Sequence, residues 1–123
     1  MAKFTLFGAG AMMLVIGALN LLAPQMMMDA PQIKLTSTNH FHVIRAAYGG
    51  AYLGIAALFL LGLFRAEHLR TSLLSVALLF SGFAFGRIVS IVADGLPVAL
   101  YLAVLAFEIT FATLAVIALR RTA

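Results

Sequence analysis

The chain contains no cysteine. Disulfides, thiolate zinc sites and cysteine nucleophiles are therefore excluded. Charge is scarce as well. Asp, Glu, Lys and Arg make up 10% of the 123 residues, whereas hydrophobic residues reach 64%. Soluble domains are about half apolar and about a quarter charged, so there is too little polar surface here to cover a globule in water. The mean hydropathy of +1.12 points to lipid as the solvent. Catalytic signatures are missing too: there is no H-E-x-x-H, no Walker loop and no G-x-S-x-G. Nothing pairs a serine with a histidine for nucleophilic attack. The eight basic residues are scattered between apolar runs. Nucleic-acid binding needs clustered base, so nucleic acid is not an expected partner.

What is present are long apolar runs. A bilayer core about 30 Å thick takes about 20 helical residues to cross. Four runs qualify, at about 4–22, 41–64, 73–93 and 98–119. Helices satisfy their own backbone hydrogen bonds in lipid, and segments such as LGIAALFLLGLF show no strand-like alternation. The first run ends ALNLLAPQ, without a small-x-small cleavage site, and reads as a retained helix rather than a signal peptide. The expectation is an all-α, four-helix transmembrane bundle forming one membrane domain over 1–123. Lys3, Arg65, Arg70, Arg120 and Arg121 fall on one side, against Lys34 and Arg45 on the other. By the positive-inside bias both termini are expected in the cytoplasm.

The connections carry their own signals. In APQMMMDAPQIKLTSTNH, Pro24 and Pro31 break any continuous helix. Met26, Met27, Met28, Ile33 and Leu35 suggest a segment lying on the membrane surface. In DGLP, Gly95 is expected to cap one helix in a left-handed conformation and Pro97 to open the next, giving an antiparallel hairpin.

Small residues recur at helical spacing: Ala46, Gly50 and Gly54 on the second span, and Gly82 and Gly86 on the third, continued by Ser90 and Asp94. Gly10, Gly17 and Asn20 occupy the first span. Such stripes let helix backbones approach closely in lipid. They read either as packing within the bundle or as a docking face for a second copy or another membrane protein.

Four charges are out of place in apolar spans: Arg45, Arg87, Asp94 and Glu108. Intramembrane charges tend to face a bundle interior and to pair. Arg87 and Asp94 are seven residues apart and share one helix face. By depth, Arg87 is expected to meet Glu108, and Arg45 to meet Asp94, although the pairs can be exchanged. One reading is a structural set of ion pairs. The other is a polar pocket in which Arg87 binds an anionic headgroup or carboxylate and Glu108 carries a proton. Ser90, Tyr48, Tyr52 and Tyr101 are candidates to line it, with Tyr101 also suited to the membrane interface. His40, His42 and Met26–Met28 are copper(I)-type donors, but histidines at i, i+2 are a weak pattern. No metal and no cofactor is assigned, and no catalytic residue.

RAAYGGAYLG, then GR-x-x-S-x-x-x-DG-x-P, then a glutamate in the last span, resemble a family of small bacterial four-helix membrane proteins carried as a domain of unknown function. The resemblance covers nearly the whole chain, through Arg45, Tyr48, Gly49, Gly50, Gly54, Gly86, Arg87, Asp94, Gly95, Pro97 and Glu108. It implies a bacterial inner-membrane, multi-pass protein and no particular activity. The leading functional reading is non-enzymatic: an accessory or interaction subunit, or a lipid-binding protein. Its expected partners are membrane lipid and either another membrane protein or a second copy of the chain. One alternative is a proton-coupled transporter of a small or hydrophobic solute using Glu108. Another is an enzyme acting on a lipid-soluble substrate.

Overall fold

The computed structural model describes residues 1–122 and is helical throughout, with no strand among those residues. Helix α1 spans Ala2–Leu22 and α2 spans Pro24–Asp29. Helix α3 runs over Thr38–Phe64, α4 over Leu69–Asp94 and α5 over Ala99–Arg121. A 3-10 turn at Ala66–His68 joins α3 to α4. The four long helices have 21, 27, 26 and 23 residues. At about 1.5 Å per residue each is long enough to cross a bilayer core. Only 22 to 39% of each span is buried. Leu22, Phe64, Phe85 and Val92 are exposed, while Thr5, Asn20, Ser72 and Glu108 are buried. The outside of the spans is as apolar as the inside, and polar side chains are among the buried ones, unlike in a water-soluble domain. This is the distribution of a multi-pass membrane protein.

Helix ends depart from the apolar runs for local reasons. Helix α3 begins at Thr38 because Ser37 caps it: its Oγ accepts the His40 N–H at 3.3 Å. Helix α4 begins at Leu69, so the expected loop before residue 73 is largely helical. Polar Thr71 and Ser72 end the apolar run without ending the helix. Ser72 is fully buried, and its Oγ accepts the Gly62 N–H at 3.0 Å.

The chain forms two compact units, residues Ala9–Leu58 and residues Met1–Gly8 with the chain from Phe59 onward. In the first, α1 and α3 touch backbone to backbone. A Cβ on Gly17 would lie 3.0 Å from the Leu53 nitrogen and 3.1 Å from the Gly49 oxygen. One on Gly49 would lie 3.3 Å from the Leu21 Cα. The expected stripe of Ala46, Gly50 and Gly54 is instead exposed, and a Cβ on Gly54 would meet nothing within 4 Å. The cause is a π-helical turn at Arg45–Gly50, in which the Ala51 N–H bonds back to the Ala46 oxygen. The extra residue shifts the helical phase, so Gly49 rather than Gly50 faces α1. The connection between α1 and α3 is clasped by Gln25. Its Nε2 donates to Asp29 Oδ1 at 2.9 Å and to the Ile33 oxygen at 3.1 Å, and its Oε1 accepts the Leu35 N–H at 2.9 Å.

In the second unit α4 and α5 form an antiparallel hairpin. Gly95 turns it with φ 95° and ψ −176°. That conformation is essentially glycine-only, but it is extended rather than the expected left-handed cap. Pro97 lies outside α5, before its N-cap Val98. Proline holds the residue before it extended, so the chain travels further before the helix starts. The core is aromatic: Phe59 meets Phe80 edge-on at 5.8 Å, Phe80 meets Phe107 at 6.0 Å, and Phe107 stacks on Phe111 at 4.1 Å. Gly8 leaves room for the Phe111 ring, and Gly62 leaves room for Ser72. Gly82 and Gly86 face open space.

These contacts separate the glycines into two groups. Gly62→Ala places a methyl 2.6 Å from Ser72 atoms and should destabilise the protein by about 1–3 kcal/mol. Gly82→Ala and Gly86→Ala should leave stability unchanged within about 1 kcal/mol. Thermal unfolding of the three variants in detergent checks the contrast.

Candidate functional site

Arg87 on α4 and Glu108 on α5 are joined across the hairpin. Arg87 Nε donates to Glu108 Oε2 at 2.8 Å. Both helices are apolar around these positions, so each charge is surrounded by groups that cannot solvate it. Glu108 is only 2% exposed. The Arg87 side chain is 34% exposed. Its guanidinium carbon lies 5.6 Å from the centroid of the Tyr101 ring, a distance at which the ring quadrupole attracts a cation. Arg87 is therefore held twice, by a carboxylate through Nε and by an aromatic face. A guanidinium has five N–H donors. Among the described residues, the two terminal nitrogens, with four of these donors, make no hydrogen bond.

Those nitrogens belong to a residue that fronts a cavity of about 180 Å³, lined by Arg87, Ser90, Ile91, Pro97, Tyr101 and Leu105. The lining is mostly apolar, with one cation and two hydroxyls. Asp94 stands one turn beyond Ser90 at the exposed end of α4, and the Ser90 hydroxyl lies 3.4 Å from its Oδ2. Such a site can hold an anionic head against the guanidinium fork and cover the adjoining chain with Ile91, Pro97 and Leu105.

The other candidate residues fall elsewhere. Arg45, Tyr48 and Tyr52 lie in the Ala9–Leu58 unit. There Arg45 Nε donates to the Leu21 carbonyl at 3.0 Å, and its guanidinium carbon lies 5.5 Å from the Phe41 ring centroid. It closes the C-terminal end of α1, where carbonyls lack helical donors. Arg45 and Asp94 fall in different units, and each has a partner within its own, the Leu21 carbonyl for Arg45 and the Ser90 hydroxyl for Asp94. The Tyr48 and Tyr52 rings meet at a tilt of 46°, with centroids 5.8 Å apart. His40 Nδ1 accepts the Thr36 N–H at 3.1 Å, so that nitrogen has a structural role. Among the described residues no three His, Asp or Glu side chains are grouped as metal ligands.

Of the cavity walls, sequence reasoning named Arg87, Ser90 and Tyr101 but not Ile91, Pro97 and Leu105, although a signal was present. Tyr101, Leu105 and Glu108 are spaced 4 and 3, which places them on one face of α5. The π-helical turn was also missed. The Gly49–Gly50 pair in mid-span is the feature that could have suggested it, since paired glycines weaken regular helix.

The chain matches the model of a family described as "Domain of unknown function (DUF4345)" over residues 1–119, and belongs to that family. No curated protein and no solved structure shows significant similarity to it. What the protein does must therefore be read from the site itself.

The ion pair has a clear energetic signature. Arg87→Met leaves Glu108 buried without its cation and should cost about 3–5 kcal/mol, whereas Arg87→Met combined with Glu108→Met should recover most of that loss. Unfolding in detergent of both single variants and the double variant measures the coupling. Additive losses would show that the two charges do not depend on each other.

Proposed function

We propose that this DUF4345 member is an integral membrane protein that binds an anionic amphiphile, with the charged head on Arg87 and the apolar part against Ile91, Pro97 and Leu105. The observation that carries this reading is the posture of Arg87. Its Nε is held by Glu108 and its guanidinium lies over the Tyr101 ring, while its terminal nitrogens make no hydrogen bond among the described residues and the residue fronts a mostly apolar cavity. A guanidinium fixed in this way loses little entropy on binding a planar carboxylate or a phosphate. Lipid is the most abundant source of such heads around a chain with four apolar spans. Five of the eight basic residues lie at the chain ends and the α3–α4 connection, which favours both termini in the cytoplasm; the family resemblance favours a bacterial inner membrane.

A role as an accessory subunit is the second reading. It draws on Gly82 and Gly86, which leave open space on the outside of α4 where another transmembrane helix could approach closely. A carrier moving an anion with a proton would use the same Arg87–Glu108 site.

Native mass spectrometry of the protein released from nanodiscs tests the proposal. With mixed phosphatidylglycerol and phosphatidylcholine, the anionic lipid should be retained selectively. Arg87→Lys keeps a charge against Glu108 but loses the planar fork, and should weaken retention roughly tenfold or more. Equal retention by both forms would sink the assignment to Arg87. Release of a stoichiometric protein partner without lipid would favour the subunit reading.

A further inference from the structure

We propose that the Arg87–Glu108 site takes up its anion together with one proton, which is carried by the carboxyl of Glu108. This rests on the anion-binding reading above and adds a second ligand, H⁺, to it. Among the described residues, Arg87 is the one cation ion-paired with Glu108. The charged and titratable groups of this unit can be placed one by one. On α4, Asp94 is exposed and faces Ser90. On α5, the ring of Tyr101 faces Arg87. Arg120 lies twelve residues from Glu108 along α5, about 18 Å away, with Arg121 beyond it. The amino-terminal segment brings Met1 and Lys3 to a different cavity, beside Gly62 and Leu69. In the α3–α4 connection Glu67 lies 4.0 Å from Arg65 and 3.5 Å from His68, with Arg70 following. One cation therefore serves Glu108.

Before ligand arrives the pair is neutral. An anion on the free edge of Arg87 makes two negative charges share one positive charge, with Glu108 out of contact with water. Like charges at close range in a poorly solvated site oppose each other's ionisation. Moving Glu108 to water would require breaking the hairpin contact. A proton on Glu108 removes the excess charge without moving any helix. The balance is simple: protein, one anion and one H⁺ combine, an O–H bond forms on the Glu108 carboxyl, and nothing is released. Because the bound state holds the extra proton, lower pH favours binding. The ligand is in effect a monoanion on an apolar chain, taken as its acid. A phospholipid phosphodiester and a simple amphiphilic acid both offer that chemistry.

Isothermal titration calorimetry on the detergent-solubilised full chain tests this. The probes are dioctanoyl phosphatidylglycerol and decane-1-sulfonate, whose heads stay ionised between about pH 5 and pH 8, where only protein groups then titrate. Each is titrated in two buffers of the same pH and different ionisation heat. The expected result is uptake of up to one proton per bound anion, with affinity rising by as much as about tenfold per unit fall in pH. Glu108→Gln should bind without uptake and without pH dependence. Uptake with phosphatidylglycerol identifies a lipid head as the source, and uptake with sulfonate alone identifies a simple amphiphilic acid. Binding of either anion with no proton uptake overturns the inference while leaving the anion site intact. So does uptake that persists in Glu108→Gln but vanishes in Asp94→Asn. Failure of both anions to bind defeats the anion-binding reading and this inference with it.

Discussion

A carboxylate that is 2% exposed inside an apolar helix hairpin has two ways to exist. It can give up its charge, or it can hold a cation close. In this protein the cation is Arg87, 2.8 Å away. Much of the local architecture follows from that requirement. Helices α4 and α5 must stay in the register that brings position 87 to position 108. Gly95, in a conformation open essentially only to glycine, and Pro97 set the turn that permits it. The Phe80, Phe107 and Phe111 rings pack the same hairpin, and so exclude water from the glutamate's helix. The pair is costly to build in lipid and more costly to break, and that asymmetry locks the register.

The same two-point restraint appears twice in the chain. Arg87 is held by a carboxylate through Nε and by the Tyr101 ring. Arg45 is held by the Leu21 carbonyl through Nε and by the Phe41 ring. Both arrangements direct restraint to one edge of the guanidinium, and among the described residues the terminal nitrogens make no hydrogen bond. They differ in their acceptors. A carbonyl carries only a partial charge, so Arg45 keeps nearly its full positive charge. Glu108 neutralises Arg87, so any anion at that edge must contend with the glutamate. Arg45 therefore closes a helix end, and Arg87 couples an edge to a buried acid.

The π-helical turn at Arg45–Gly50 shows how a local departure redirects a surface. With regular α geometry, Ala46, Gly50 and Gly54 would form one stripe. The extra residue in the turn moves Gly49 against Leu21 and leaves Gly50 and Gly54 outside. Close packing in this chain is therefore made by Gly8, Gly17, Gly49 and Gly62. The G-x-x-x-G of Gly82 and Gly86 faces outward. Spacing alone picked out Gly17 correctly, but it could not tell which of the glycines on α3 and α4 turn inward, because that depends on helix rotation.

The amino-acid sequence by itself determined the helical class, the four spans and the presence of stranded charges within them. These follow from composition and run length, since lipid permits little besides helices of bilayer length. It also brought Arg87 and Glu108 to similar depth, because depth follows from rise per residue. Tertiary structure alone decided which partner each charge took, which glycines lie at contacts and where a cavity opens. Those depend on helix rotation, and one π-helical turn is enough to change a phase that no residue count reveals. Arg45 illustrates the limit. Its depth suggested a carboxylate, but a bare carbonyl at the end of α1 lay within reach of its Nε, and only the folded chain shows that an unsatisfied helix terminus can serve a guanidinium as well as an acid can.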